Sequence, residues 1–188
     1  GWLVRVRRGL YTLPSNVFQG NPLHEFETAM ALARPAAISH WSALSLHGLT
    51  EQPPRTVFVL TTTQTDRRTT NLGGILYHFT RVAPDLFFGI QQVWVGESQV
   101  AVTDPERTLL DGLERPRLCG GFHEVLAAFE RHLPALQLDR IVQYGRRFSP
   151  ATSRRLGWTL EVHFGLSSVH LHELLNPPIR GYRPLDPT

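Results

Sequence analysis

The sequence predicts an α+β fold: a small, mostly antiparallel sheet with helices before it and a helical C-terminal third. Three observations carry this. Between Thr56 and Thr103 the chain holds short β-branched and aromatic runs separated by turn residues, the pattern of strands. From Asp104 onward apolar residues recur at helical spacing, and two shorter helical stretches precede the strands.

At the N-terminus, Trp2, Val4 and Val6 alternate with Leu3, Arg5 and Arg7, and Arg8-Gly9 turns or bulges the chain before Leu10-Tyr11-Thr12-Leu13. This short arginine-bearing strand pair reads either as the wing of a winged helix or as an edge hairpin whose arginines protect the edge. Gly1 stands within an ongoing pattern, so a preceding segment is expected. After a polar connector, 14–20, a helix is expected over Pro22 to Arg34, with Leu23, Phe26, Met30 and Ala33 on one stripe and Pro35 as its stop. A second is expected over Ser39 to His47, capped by Ser39 and closed by Gly48 in the left-handed conformation.

Thr56 to Thr61 is the first strand of the sheet, and the polar run Thr62 to Asn71, with Arg67 and Arg68, reads as a loop closed by Gly73-Gly74. Leu76 to Thr80, Gly89 to Val95 and Gln99 to Thr103 are the other strands, with Gly96-Glu97-Ser98 a hairpin turn between the last two. Asp104 then offers a carboxylate to the first turn of a helix and Pro105 needs no N–H there, so a helix starts at this point. Arg107 is spaced to pair with Asp104 and Asp111, while Leu109, Leu110 and Leu113 form an apolar stripe. Further helices are expected over Gly121 to Leu133, Leu138 to Arg147, Pro150 to Phe164 and His170 to Leu175, followed by an extended tail rich in Pro and Gly.

Composition restricts the chemistry. A chain of 188 residues buries roughly 70% of its unfolded surface and folds without staples. The single cysteine, Cys119, excludes an internal disulfide and fits a reducing cytoplasm; as a small buried apolar residue it needs no reactive role. No run is long and apolar enough to span a membrane, and no signal-peptide core follows the first arginines. All 19 basic residues are arginine, which removes lysine Schiff-base chemistry and the phosphate-binding lysine of a P-loop. The net charge of +3 points only softly to an acidic partner.

The nine histidines do not read as a metal site. His40 and His47 sit seven apart on one helical face, about 10 Å along the axis at 1.5 Å per residue. His170 and His172 would face different ways on a helix, and neither a His-Glu-x-x-His motif nor a Cys-x-x-Cys pair occurs. No nucleophile elbow or dinucleotide-binding glycine run is present, so no catalytic residue and no cofactor is assigned. Cys119 with His123 is a weak pair. The arginine doublets Arg67-Arg68, Arg146-Arg147 and Arg154-Arg155 could grip carboxylates or phosphates, or could be solvated faces with internal ion pairs. If the chain turns between the last two, their four guanidinium groups could form one docking patch.

Several segments taken together are similar to the AbiEi family of bacterial antitoxins and transcriptional regulators, from type IV abortive-infection toxin-antitoxin pairs. Arg8-Gly9-Leu10-Tyr11-Thr12-Leu13-Pro14 resembles the end of that family's winged helix-turn-helix. Ile38 to Leu49 resembles the opening of its C-terminal domain, and Val102 to Leu113 its strand-then-helix motif; Gly120-Gly121-Phe122-x-Glu124 and Arg155-Leu156-Gly157-Trp158 are similar to later elements. The resemblance implies residues 1–14 as remnant wing strands and 15–188 as a C-terminal antitoxin and regulatory domain. It implies operator DNA as one partner, touched by Arg5, Arg7 and Arg8 with most of the winged helix absent. A nucleotidyltransferase-type toxin would be the other. It also moves the wing ahead of the edge hairpin. Two rivals stand beside it: a transcriptional regulator with no toxin partner, and a nuclease or phosphotransfer enzyme using Asp104, Glu106, Asp111 or Glu161 with a divalent ion.

Overall fold

A computed structural model of the chain describes residues 4–7, 10–12, 24–65, 68–166 and 184–187. Within these the chain is α+β, as its strand runs and helical periods predict. The eight strands are β1 (Val4–Arg7), β2 (Leu10–Thr12), β3 (Ala36–Ile38), β4 (Thr56–Thr61), β5 (Thr69–Leu72), β6 (Ile75–Arg81), β7 (Ile90–Val95) and β8 (Ser98–Thr103). The helices are α1 (Glu25–Leu32), α2 (His40–Leu46), α3 (Pro105–Glu114), α4 (Phe122–His132), α5 (Leu138–Gly145) and α6 (Pro150–Gly157), the last continued by a π-helical turn, Trp158–His163. No helix among the described residues is long and apolar enough to cross a membrane.

β1 and β2 form an antiparallel pair with a register shift between Arg5 and Arg7. Arg8, Gly9 and the connector after Thr12 lie outside the described residues, as does the start of the helix expected from Pro22. That helix runs from Glu25, where His24 and Glu27 make a reciprocal capping box. The helix expected over His170 to Leu175 also lies outside the described residues.

The other strands make one sheet in the order β5-β6-β4-β3-β8-β7. Three neighbouring pairs are antiparallel, while β4–β6 and β3–β8 are parallel. Two of these strands differ from expectation. The polar run expected as loop supplies β5, which pairs with β6 across Gly73-Gly74; both glycines have positive φ, which suits a tight turn. After Pro35, three buried residues form β3.

β3 is short because α2 takes over its place. Ile38 pairs with Val59 and the N–H of Ser39 still donates to the carbonyl of Phe58. His40 then adopts φ 50°, the left-handed region, and the chain turns into α2. Ser42 completes the strand edge from the helix: its hydroxyl accepts from the N–H of Phe58 at 3.0 Å and donates to the carbonyl of Thr56 at 3.2 Å. Ser39 occupies the expected cap position, but its hydroxyl meets His40 Nδ1 at 2.8 Å and does not cap the helix. Gly48, at φ 68°, closes α2 as expected.

Two cores result. One lies between the sheet and α1, where Phe26, Ala29 and Leu32 meet Val57, Val59, Tyr77, Phe79, Val100 and Val102. The other is mainly helical: Leu44 of α2 and Leu109, Leu110 and Leu113 of α3 meet Phe129 of α4, Ile141 of α5 and Leu156 of α6, with Leu49 from the loop after α2. α3 is the axis of this second core, and all of its residues from Glu106 to Leu113 are buried.

Candidate functional site

A helix enclosed on every side should be apolar, yet α3 buries Glu106, Arg107 and Asp111, with Asp104 just before it. Burial of four charges demands partners, and the partners define the site. Asp104 caps the helix as expected: one carboxylate oxygen accepts the N–H of Arg107 at 2.8 Å. The other accepts the hydroxyl of Tyr144 at 3.1 Å and lies 3.6 Å from the guanidinium of Arg140. Glu106 accepts from His132 Nε2 and from the N–H of Gln137, both at 3.1 Å, and lies 3.8 Å from Arg140. Burial alone would raise the Glu106 carboxyl, but the bonds from His132 and Gln137 hold it below its ordinary value. His47 reaches across from the end of α2, its Nε2 2.7 Å from the carbonyl of Thr103. A carbonyl only accepts, so Nε2 carries the hydrogen; burial lowers the pKa of this imidazole.

One turn along, Arg107 is 1% exposed. Its Nε donates to Asp111 at 3.0 Å and its Nη1 to the carbonyl of Leu86 at 2.7 Å. The guanidinium lies over the rings of Phe88 and Phe148, at 4.4 and 4.7 Å from their centroids. The expected pair with Asp111 therefore forms, whereas Asp104 meets the backbone of Arg107 rather than its guanidinium. Burial pushes the Asp111 carboxyl up to about 6 against the pull of Arg107, and its second oxygen has no hydrogen-bond partner. Arg107 also needs Gly89: a Cβ there would stand 2.8 Å from Arg107 Cβ, and φ at Gly89 is 64°. The carbonyl of the same glycine receives the N–H of Asp104 at 2.7 Å, tying the loop before β7 to the start of α3.

These acids divide among different partners. Asp104 and Glu106 converge on Arg140, Asp111 on Arg107, and Glu161 lies in the π-helical turn. Among the described residues no three His, Cys, Asp or Glu side chains are grouped to hold a metal ion. Cys119 is fully buried, with its thiol pushed well up by burial, while His123 is exposed.

The arginines proposed from sequence separate. Arg5 and Arg7 lie on β1, and Arg8 and Arg67 fall outside the described residues. Arg68, Arg146, Arg147 and Arg154 are exposed. Arg147 lies 3.5 Å above the ring of Phe88 and donates to the carbonyl of Asp85, so it joins the surface to the aromatic bed of Arg107. Arg155 turns inward, donating to the carbonyls of Leu113 at 3.1 Å and Pro184 at 3.3 Å, and burial lowers its pKa. The four guanidinium groups of the two C-terminal doublets thus do not share one surface. Sequence reasoning passed over Arg140, whose spacing four residues before Tyr144 was the available signal: Nε donates to the Tyr144 hydroxyl at 3.3 Å.

No family model and no curated protein matches this sequence.

Proposed function

We propose that the chain is the regulatory and antitoxin domain of an AbiEi-like protein of the bacterial cytoplasm, with residues 1–14 the end of a winged helix and 15–188 the C-terminal domain. It works by binding. Operator DNA is contacted through the winged helix, where Arg5, Arg7 and Arg8 would touch phosphates and position the protein without specifying sequence. A nucleotidyltransferase-type toxin is counteracted by the C-terminal domain, where the exposed Arg68, Arg146, Arg147 and Arg154 would meet an acidic surface.

The antitoxin reading rests on the resemblance of Ile38 to Leu49 and Val102 to Leu113, and what favours binding over the enzyme rival is the use made of the acids. Asp104, Glu106 and Asp111, the residues a divalent-ion enzyme would require, are committed to arginine, histidine, tyrosine and backbone partners inside the fold. The test is co-expression. A form carrying the whole winged helix should bind its own promoter and restore growth against the toxin encoded beside it. Reversal of Arg146, Arg147 and Arg154 to Glu should weaken protection in a variant that keeps the wild-type circular dichroism spectrum and a cooperative melt. Failure to bind promoter DNA sinks the repressor half, and undiminished protection by the reversed variant removes the arginine surface. A magnesium-dependent phosphotransfer activity that disappears in a folded Asp104→Asn variant would replace this reading with the enzyme.

A further inference from the structure

Among the described residues the sheet ends at β7, and nothing in that strand's own sequence guards its edge. β7 pairs with β8 from Ile90↔Thr103 to Val95↔Ser98 without a register shift, and among the described residues its other side pairs with no strand. Edge strands are ordinarily blunted by charge, proline, a bulge or short length, because their free N–H and C=O groups template another strand. β7 is six residues long, Ile90-Gln91-Gln92-Val93-Trp94-Val95, with no charge, proline or bulge. The opposite edge differs: β5 has four residues, follows Arg68 and stops at Gly73-Gly74.

The side chains of β7 sort by face. Val93 and Val95 pack against the core under α1. Trp94 is on the other face, with Gln92 beside it in the strand and Gln99 across the pair on β8, and it is 66% exposed. An indole held this far into water at an open edge is a contact waiting for cover.

We propose that the chain pairs with a second copy of itself through β7, antiparallel, so that the sheet continues from one copy into the other. The strand's own chemistry selects this occupant. A neutral edge offers nothing to an acidic or basic segment, but it meets an identical edge with no like-charge repulsion. A two-fold axis through Val93, perpendicular to the sheet, places Val93 opposite Val93 and extends the apolar face under α1. On the other face it sets each Trp94 opposite the partner's Gln92, within reach of cross-strand packing. Glu97 falls opposite Gly89, not opposite another acid. Such a contact is isologous, so it closes at two copies and leaves neither β7 edge open. It is independent of the antitoxin reading, whose surfaces lie elsewhere.

Sedimentation of the full 188-residue chain over a wide concentration range tests it. Wild type should approach twice 21.3 kDa as concentration rises. The double variant Gln92→Lys, Trp94→Lys, which alters only exposed side chains and sets lysine opposite lysine, should remain at half that mass with an unchanged circular dichroism spectrum. Wild type holding at 21.3 kDa throughout, or a variant as dimeric as wild type, overturns the proposal. Amide exchange on the unmutated chain provides a second reading that needs no variant. β7 amides should exchange more slowly in concentrated than in dilute protein, and exchange independent of concentration overturns the pairing.

Discussion

His40 concentrates the conflict between local preference and tertiary demand at a single residue. It holds φ 50° where few residues other than glycine do, is 1% exposed, and has Ser39 Oγ 2.8 Å from its Nδ1. Burial first, then Arg115, Arg107 and His78, lower its pKa from 6.5 to about 3. Between those values the unfolded chain takes up a proton that the folded chain refuses, so this residue's contribution is full above about pH 6.5 and is lost as pH falls toward 3. Asp111 runs the other way: raised from 3.8 to about 6, its contribution is full below 3.8 and lost as pH rises through 6. Asp111 is shared by wild type and any His40 variant, so its contribution cancels in their difference, which reads His40. His40→Asn, which tolerates the left-handed backbone, should therefore be less stable than wild type at pH 7 and close that gap by pH 4. Urea midpoints at pH 7, 5 and 4 measure it; a gap constant across the three would refute the assignment of acid sensitivity to this imidazole.

At the scale of elements, α2 stands in for the missing half of β3, and Ser42 is the hinge of that substitution. The strand edge of β4 has a backbone donor at Phe58 and an acceptor at Thr56 with no strand beside them, and one hydroxyl serves both. Ser42→Ala should cost about 1–3 kcal/mol by leaving a buried N–H unsatisfied. Denaturant titration reads the loss, and a change within error would show that β4 tolerates the open edge. None of this was legible beforehand, because a three-residue strand gets its stability from its neighbours and shows no period of its own. β5 escaped for a related reason: in Thr69-Thr70-Asn71-Leu72 only Leu72 is apolar, packing against the sheet core, so four edge residues show no apolar alternation. The cap at Asp104, the pair Arg107–Asp111 and the end of α2 at Gly48 were legible, since each depends on residues within a turn of one another. Arg155 was not, because its destinations, the carbonyls of Leu113 and Pro184, are distant in sequence.

For the whole molecule, the first turn of α3 is where the two cores meet. β8 leads into it from the sheet, and Glu106 clamps onto it both His132 at the end of α4 and the N–H of Gln137 at the start of α5. The sequence marked Glu106 as an acid available to a metal; only the return of α4 and α5 to the head of α3 shows what it holds. Its carboxyl lies below the ordinary 4.5, so its contribution is full above that pH and declines as acid protonates it. Removing the clamp in Glu106→Ala should free the α4–α5 corner at neutral pH while leaving the sheet core, which has its own apolar contacts, unchanged. A loss of charged hydrogen bonds of about 2–3 kcal/mol would speed sub-global exchange roughly 30- to 150-fold. Hydrogen exchange at pH 7 resolves this by residue: amides of Ile141 and Val142 should quicken, while those of Val59 and Leu60 hold their wild-type rates. If both sets quicken together, the two cores open as one cooperative unit, and the head of α3 is a seam within it rather than a boundary.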